Sequence, residues 1–142
     1  MSKKKVLFVC IHNSARSQMA EELLRQLAGD RFETASAGLE PGVLNPFAVE
    51  VLKEKGIDIT GKKTQRVFDL YQQGRRYNYV ITVCDEANAE RCPIFPGTLQ
   101  KLHWGFADPS TLIGSHEDKL AKTRAVCDQI EAAIRQWLAT NP

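Results

Sequence analysis

The chain has 142 residues, of which 43% are hydrophobic and 25% charged. These are the proportions of one folded globule, and they exclude disorder, collagen and coiled coil. A net charge of +2 is too small to argue for nucleic acid as a partner. The longest purely apolar run, Val6-Leu7-Phe8-Val9-Cys10-Ile11, is far short of the ~20 residues of a membrane span. Residues 1–142 are expected to form a single domain. The start, Met1-Ser2-Lys3-Lys4-Lys5, lacks the apolar core and cleavage site of a secretory signal, so a cytoplasmic location is expected.

Residues 5–10 predict a strand buried on both faces, because the apolar run is continuous rather than alternating. A short polar stretch follows. From about Ser17 a helix is expected, with Met19, Ala20, Leu23, Leu24 and Leu27 on one stripe. Gly29 stands where a left-handed cap would end it. Residues 32–37 predict a second strand closed by Gly38. Asn45-Pro46 marks a helix start, an amide cap followed by proline at the first helical position; Gly56 ends that helix. Residues 57–60 read as a short extended piece. A weaker helix is expected over 65–72 with Thr64 as its cap. Residues 79–83 and 99–104 predict two more strands, separated by an irregular stretch. Ser115 opens the last helix in a capping-box relation with Asp118, and Leu120, Cys127, Ile130, Ile134, Trp137 and Leu138 form its apolar stripe. Strands alternating with helices predict an α/β fold: a four-stranded parallel sheet with helices on both faces. Ligands of such sheets bind beyond the C-terminal strand ends. Cys10, Cys84 and Asp108 all fall there.

The segment Cys10-Ile11-His12-Asn13-Ser14-Ala15-Arg16-Ser17 lies between a buried strand and a helix N-terminus. Peptide N–H groups of Ile11, His12, Asn13, Ser14, Ala15 and Arg16, curled ahead of a helix, form a cradle for a tetrahedral oxyanion. The Arg16 guanidinium adds paired, planar donors for the same anion. The positive helix end favours thiolate over thiol at Cys10, and Ser17 is placed to donate a hydrogen bond to it. The four cysteines are Cys10, Cys84, Cys92 and Cys127. In a reducing compartment they are expected to act as nucleophiles, redox groups or metal ligands rather than as a static disulfide framework. No metal is expected, because there is no Cys-x2-Cys pair and no clear fourth ligand beside Cys84, Cys92 and His103. Cys127, on the inner stripe of the last helix, reads as packing.

Cys-x5-Arg-Ser after a strand, continuing Gln18-Met19-Ala20-Glu21, resembles the phosphate loop of low-molecular-weight protein tyrosine phosphatases. Within that superfamily the chain is most similar to the arsenate reductases. Ser36-Ala37-Gly38, Val83-Cys84, Cys92-Pro93 and the run His103-Trp104-Gly105-Phe106-Ala107-Asp108-Pro109 carry the resemblance across residues 4–138. It implies a phosphatase-like fold and a catalytic set of Cys10, Arg16, Ser17, Cys84, Cys92 and Asp108. Arsenate is the implied substrate, with phosphate or sulfate as analogues. Cys10 would attack arsenate while Asp108 protonates the departing oxygen. Cys84 would then attack Cys10 and release arsenite, and Cys92 would attack Cys84. No cofactor is implied, but an external thiol reductant is: thioredoxin, or a glutaredoxin system, since the Cys84–Cys92 spacing is longer than in the thioredoxin-coupled relatives. Some members bind potassium through positions matching Asn13, Glu21 and Ser36, but Gln65 stands where an acidic residue would complete the set. The family's phosphatases carry a tyrosine soon after the Asp-Pro pair, whereas Ser110-Thr111-Leu112 stand here. Phosphoester hydrolysis and non-catalytic oxyanion binding are the alternative readings. A helical 84–92 segment would separate its two cysteines by about 12 Å, whereas a disulfide needs Cα atoms within ~7 Å. Residues 84–92 are therefore expected to rearrange on oxidation.

Overall fold

In the computed structural model, residues 3–13, 15–40, 42–83, 100–106 and 114–140 are described. Four strands are found among them: β1 (Lys4–Cys10), β2 (Phe32–Gly38), β3 (Tyr79–Thr82) and β4 (Gln100–His103). They form one parallel sheet in the order β2-β1-β3-β4. The helices are α1 (Arg16–Ala28), α2 (Pro46–Glu54), α3 (Val67–Gln72) and α4 (His116–Thr140).

The unbroken apolar run of β1 has the cause expected of it. Val6 and Phe8 face one layer, built from α1, α2 and α4. Leu7 and Val9 face the other, where Val67 and Leu70 of α3 meet Tyr77 and Val80. Each fully buried side chain of this size is worth about 1.5–3 kcal/mol, so the central strand is anchored from both sides. Cys10 continues the Val6–Phe8 parity and therefore points toward α1. Trp137 of α4 closes the same layer against Phe32, Tyr79 and Trp104, with ring centroids 5.2, 5.3 and 6.3 Å away. Trp104 is thereby a packing residue, with Phe8 6.2 Å from it. The Cys127 thiol is buried in this layer, and burial pushes it up to about 11.

Three helix ends follow their sequence signals. Asn45 Oδ1 accepts from Phe47 N–H at 2.8 Å, opening α2. Gly56, at φ 82°, closes it while Ile57 N–H donates to Leu52 O at 2.9 Å, the paired bonding of a left-handed cap. Ser115 Oγ accepts from Asp118 N–H at 3.2 Å, and Asp118 Oδ2 accepts from Ser115 N–H at 3.3 Å.

Two ends differ. Gly29 is right-handed, at φ −63°. Its glycine is required by space instead, because a Cβ there would lie 2.4 Å from the Arg25 carbonyl oxygen. The α3 helix starts at Val67, with no side-chain cap. Thr64 Oγ1 donates to Gly42 O at 2.8 Å instead. Gln65 and Arg66 extend the edge of β2, where Gly38 N–H donates to Gln65 O at 2.9 Å.

Candidate active site

The chain turns out of β1 at Cys10 and enters α1 at Arg16, so the polar loop between them sits at the C-terminal edge of the sheet. The segment after β2 fixes that loop from outside. Leu39 N–H donates to Cys10 O at 3.3 Å, Glu40 N–H to Ile11 O at 2.8 Å, and Gly42 N–H to His12 O at 2.9 Å. In a trans peptide the carbonyl and the following N–H point in opposite directions, and no cis bond is present among the described residues. Three carbonyls turned toward the post-β2 segment therefore turn the N–H groups of Ile11, His12 and Asn13 inward. The last of these reaches the sulfur, with Asn13 N–H donating to Cys10 Sγ at 3.1 Å.

This loop path depends on Gly38. A Cβ at that position would lie 2.7 Å from Ile11 O and 2.8 Å from Asn13 N. It depends equally on Asn13, which holds a left-handed backbone at φ 54°. Asparagine tolerates that region better than most residues. Asn13 is also wholly buried, and both ends of its carboxamide are bonded. Oδ1 accepts from Gln65 N–H at 3.0 Å and from Gln18 Nε2 at 3.1 Å, while Nδ2 donates to Ser17 Oγ at 2.7 Å.

That last bond has a direction. Ser17 Oγ accepts from Asn13, so its own hydrogen is free for Cys10 Sγ, 2.9 Å away. The sulfur thus receives the Asn13 N–H and lies 2.9 Å from the Ser17 hydroxyl, whose hydrogen is available to it, at the N-terminal end of α1. Among the described residues no side-chain bond caps α1.

Arg16 is buried, and its NH1 donates to Phe106 O at 3.2 Å. A guanidinium held beside an inward-facing amide cradle is suited to a tetrahedral oxyanion. The His12 ring is exposed and turned outward, with Nδ1 3.0 Å from Glu40 O; what this residue offers the cradle is its backbone. Ala15 is buried at the cap position. Ser14, Cys84, Cys92 and Asp108 lie outside the described residues.

Below the loop, Glu21 Oε1 accepts from Ser36 Oγ–H at 2.6 Å and pairs with Lys62 Nζ at 2.8 Å. Its other oxygen pairs with Arg25 at 2.6 Å. Glu21, one of the positions matching potassium binding in some family members, is thus paired with cationic side chains of the chain itself. Gln65 Nε2 joins the same network by donating to Ser36 O at 2.7 Å.

Gln18 belongs to the run that resembles the family's phosphate loop and Gln65 stands only where an acidic residue would complete the potassium set, but neither carries a signal of the hydrogen-bonding role that it has here. Gln18 is wholly buried, with Nε2 3.1 Å from both Asn13 O and Asn13 Oδ1. Its Oε1 has no partner among the described residues, a cost of about 1–3 kcal/mol. A separate cleft of about 510 Å³, lined by Lys3, Lys5, Arg25, Arg75 and Arg76 with Glu33, contains no residue of the loop.

The family model described as low molecular weight phosphotyrosine protein phosphatase matches residues 5–141. The chain belongs to that family. Within this phosphatase family it is similar to an arsenate reductase of Shouchella clausii, 38% identical over 142 residues covering 99% of each chain. An arsenate reductase of Bacillus subtilis is likewise 38% identical, with 99% of both chains covered. Among solved structures, an arsenate reductase in its phosphate-binding state superposes with a TM-score of 0.77 at 28% identity, covering 96% of this chain and 98% of that one. A thioredoxin-dependent arsenate reductase of Corynebacterium glutamicum reaches 0.71 at 30% identity, covering 97% of this chain and 61% of that one. These likenesses agree with the four-stranded, phosphatase-like α/β fold expected from the sequence.

Proposed function

We propose that this chain reduces arsenate to arsenite, with Cys10 as the nucleophile. The observation that carries the reading is the Cys10 sulfur, bonded by Asn13 N–H and Ser17 Oγ at 3.1 and 2.9 Å inside an inward-facing amide loop. The full-length arsenate reductase relatives supply the substrate. Arsenate, or phosphate or sulfate in its place, is held by the loop amides and Arg16. Cys10 attacks arsenic while Asp108 protonates the departing oxygen, which leaves as water. Cys84 attacks Cys10; the sulfur–arsenic bond breaks, its electron pair stays on arsenic, and arsenite departs. Two thiols have become one disulfide, which balances the two electrons. Cys92 then takes over the bond to Cys84 and frees Cys10. Val83, next in chain to Cys84, supports a Cys84 attack on Cys10, because its N–H donates to Val9 O at 2.8 Å, beside the end of the strand that carries Cys10.

An external dithiol protein of the thioredoxin type closes the cycle. The thioredoxin-dependent relative supports that choice, and glutaredoxin is the competing donor. The chemistry requires a reducing compartment, in keeping with a cytoplasmic site of action. Arsenate-dependent NADPH consumption tests the reading in two coupled assays, one with thioredoxin and its reductase, the other with glutathione, glutaredoxin and glutathione reductase. Turnover is expected with thioredoxin; activity only in the glutathione assay overturns the coupling, and activity in neither overturns the reductase reading.

Phosphoester hydrolysis is the second reading, favoured by the family's phosphatase members and by the oxyanion cradle itself. Cys84→Ser separates the two. It is expected to abolish multiple-turnover arsenate reduction while leaving any phosphatase activity in place.

A further inference from the structure

The carboxamide of Gln18 has an orientation that its surroundings dictate. Its nitrogen lies 3.1 Å from Asn13 O, 3.1 Å from Asn13 Oδ1 and 3.4 Å from Lys63 O. All three neighbours are acceptors when Asn13 Oδ1 takes the Gln65 N–H at 3.0 Å. The reverse orientation would set the Gln18 oxygen against three oxygens. Gln18 therefore donates, and Asn13 Oδ1 receives two donors that fix it as the acceptor end of its amide. The nitrogen end must then face Ser17 Oγ, 2.7 Å away, and the Ser17 hydrogen is left for Cys10 Sγ.

We infer that Gln18 is a positioning residue for the nucleophile: it locks the Asn13 carboxamide and the loop backbone so that Ser17 donates to the Cys10 sulfur. The inference rests on the reading of Cys10 as the nucleophile. Gln18 acts through Asn13 and Ser17, and its nearest bonded partner toward the sulfur is Asn13. Its buried Oε1, without a partner among the described residues, marks a side chain kept at a cost to stability. An unbranched apolar side chain of similar length would fill the same space without that orphaned oxygen. Loss of the glutamine also removes the donor to Asn13 O and Lys63 O, so the Cys10 reaction rather than stability is the readout that a purely structural glutamine would not move.

The test is Gln18→Met in the full chain, with alkylation of the Cys10 peptide followed by mass spectrometry across a pH series and the thermal midpoint measured beside it. The charged and titratable groups around the loop, Arg16 and Glu21 on α1, His12 and Glu40 flanking it, and Lys62 and Lys63 before α3, are unchanged by this substitution. Cys10 alkylation at neutral pH is expected to slow about tenfold, the effect of one lost ordering bond, and the profile to move toward higher pH. The thermal midpoint is expected to fall only modestly, the lost donor to Asn13 O and Lys63 O being partly offset by removal of the orphaned Oε1, and kcat to fall with KM near its original value. Gln18→Ala is expected to reproduce the slower alkylation with a lowered midpoint, because it leaves a cavity. An unchanged Cys10 profile in Gln18→Met overturns the inference, and so does a Gln18→Met chain that loses its fold. A wild-type Cys10 that alkylates like an ordinary thiol overturns the nucleophile reading itself, whatever the variants do.

Discussion

Gly38 and Asn13 meet where β2 ends and the Cys10 loop turns, so closely that a Cβ on the glycine would stand 2.8 Å from the Asn13 nitrogen. That nitrogen is the one that donates to the Cys10 sulfur. Real Cβ atoms do not approach backbone so closely, so a side chain at 38 must displace the loop. Gly38→Ala is expected to destabilise the fold by about 1–3 kcal/mol, in the range of overpacked interiors. It should also lower kcat/KM for arsenate more than the stability loss alone accounts for, because the amide cradle moves with Asn13. Urea unfolding and steady-state kinetics on the same preparation measure both. Wild-type turnover in this variant would refute the close fit.

The hydroxyl of Ser17 is the more direct probe of the sulfur. Ser17→Ala removes the donor 2.9 Å from Cys10 Sγ and leaves Asn13 Nδ2 without its acceptor at 2.7 Å. Losing a hydrogen bond to a charged acceptor costs about 1.5–3 kcal/mol, so Cys10 alkylation at neutral pH should slow at least about tenfold. Ser17→Thr, which keeps the hydroxyl, should retain more of the rate than alanine. Equal rates for the two variants would show that the hydroxyl does not serve the sulfur.

The order of elements and the loop chemistry were legible because they are local. The run from Val6 to Val9 gave a doubly covered strand, Asn45-Pro46 and Ser115 with Asp118 gave helix starts, and Cys10, Arg16 and Ser17 sat between strand and helix. What the chain does not display along its length is how distant segments settle one another's hydrogen bonds. Thr64 looked like a helix cap, yet it serves Gly42 O, because Gln65 is already committed to Asn13 and Gly38. Gly29 looked like a left-handed cap, but close packing against the Arg25 carbonyl explains it. Gln18 stood in the motif without a role, since its burial and bonding follow from Asn13 and Lys63 closing on it across the fold.

Cys127 is the internal control among the cysteines. It is wholly buried, and burial pushes its thiol up to about 11. At neutral pH it is therefore protonated and shielded, and it should escape alkylation in the native protein while labelling fully after denaturation. Cys127→Ala should leave arsenate turnover at wild-type level and cost stability only, by the loss of a small packed side chain. Peptide mapping after a brief native exposure to iodoacetamide checks the first point. Native labelling of Cys127 would contradict the burial.

Acid should weaken the fold through carboxylates held by lysine and arginine. Burial opposes ionisation of Glu22, but Lys62 and Arg25 beside it bring its carboxyl below the usual range. Glu131 is lowered by its bond to Lys55, with Arg135 adding to the effect. A carboxyl whose folded value lies below its unfolded one binds fewer protons in the native state. Its stabilisation is complete above the unfolded value and fades as pH falls through the folded one. The thermal midpoint should therefore be flat near neutrality and drop below the ordinary carboxylate range. Removing Lys62 takes away one cation from Glu22, so Lys62→Ala should lower the midpoint at neutral pH and shrink the drop between neutral and acid. Parallel wild-type and Lys62→Ala curves over that range would show that the pair does not couple to folding.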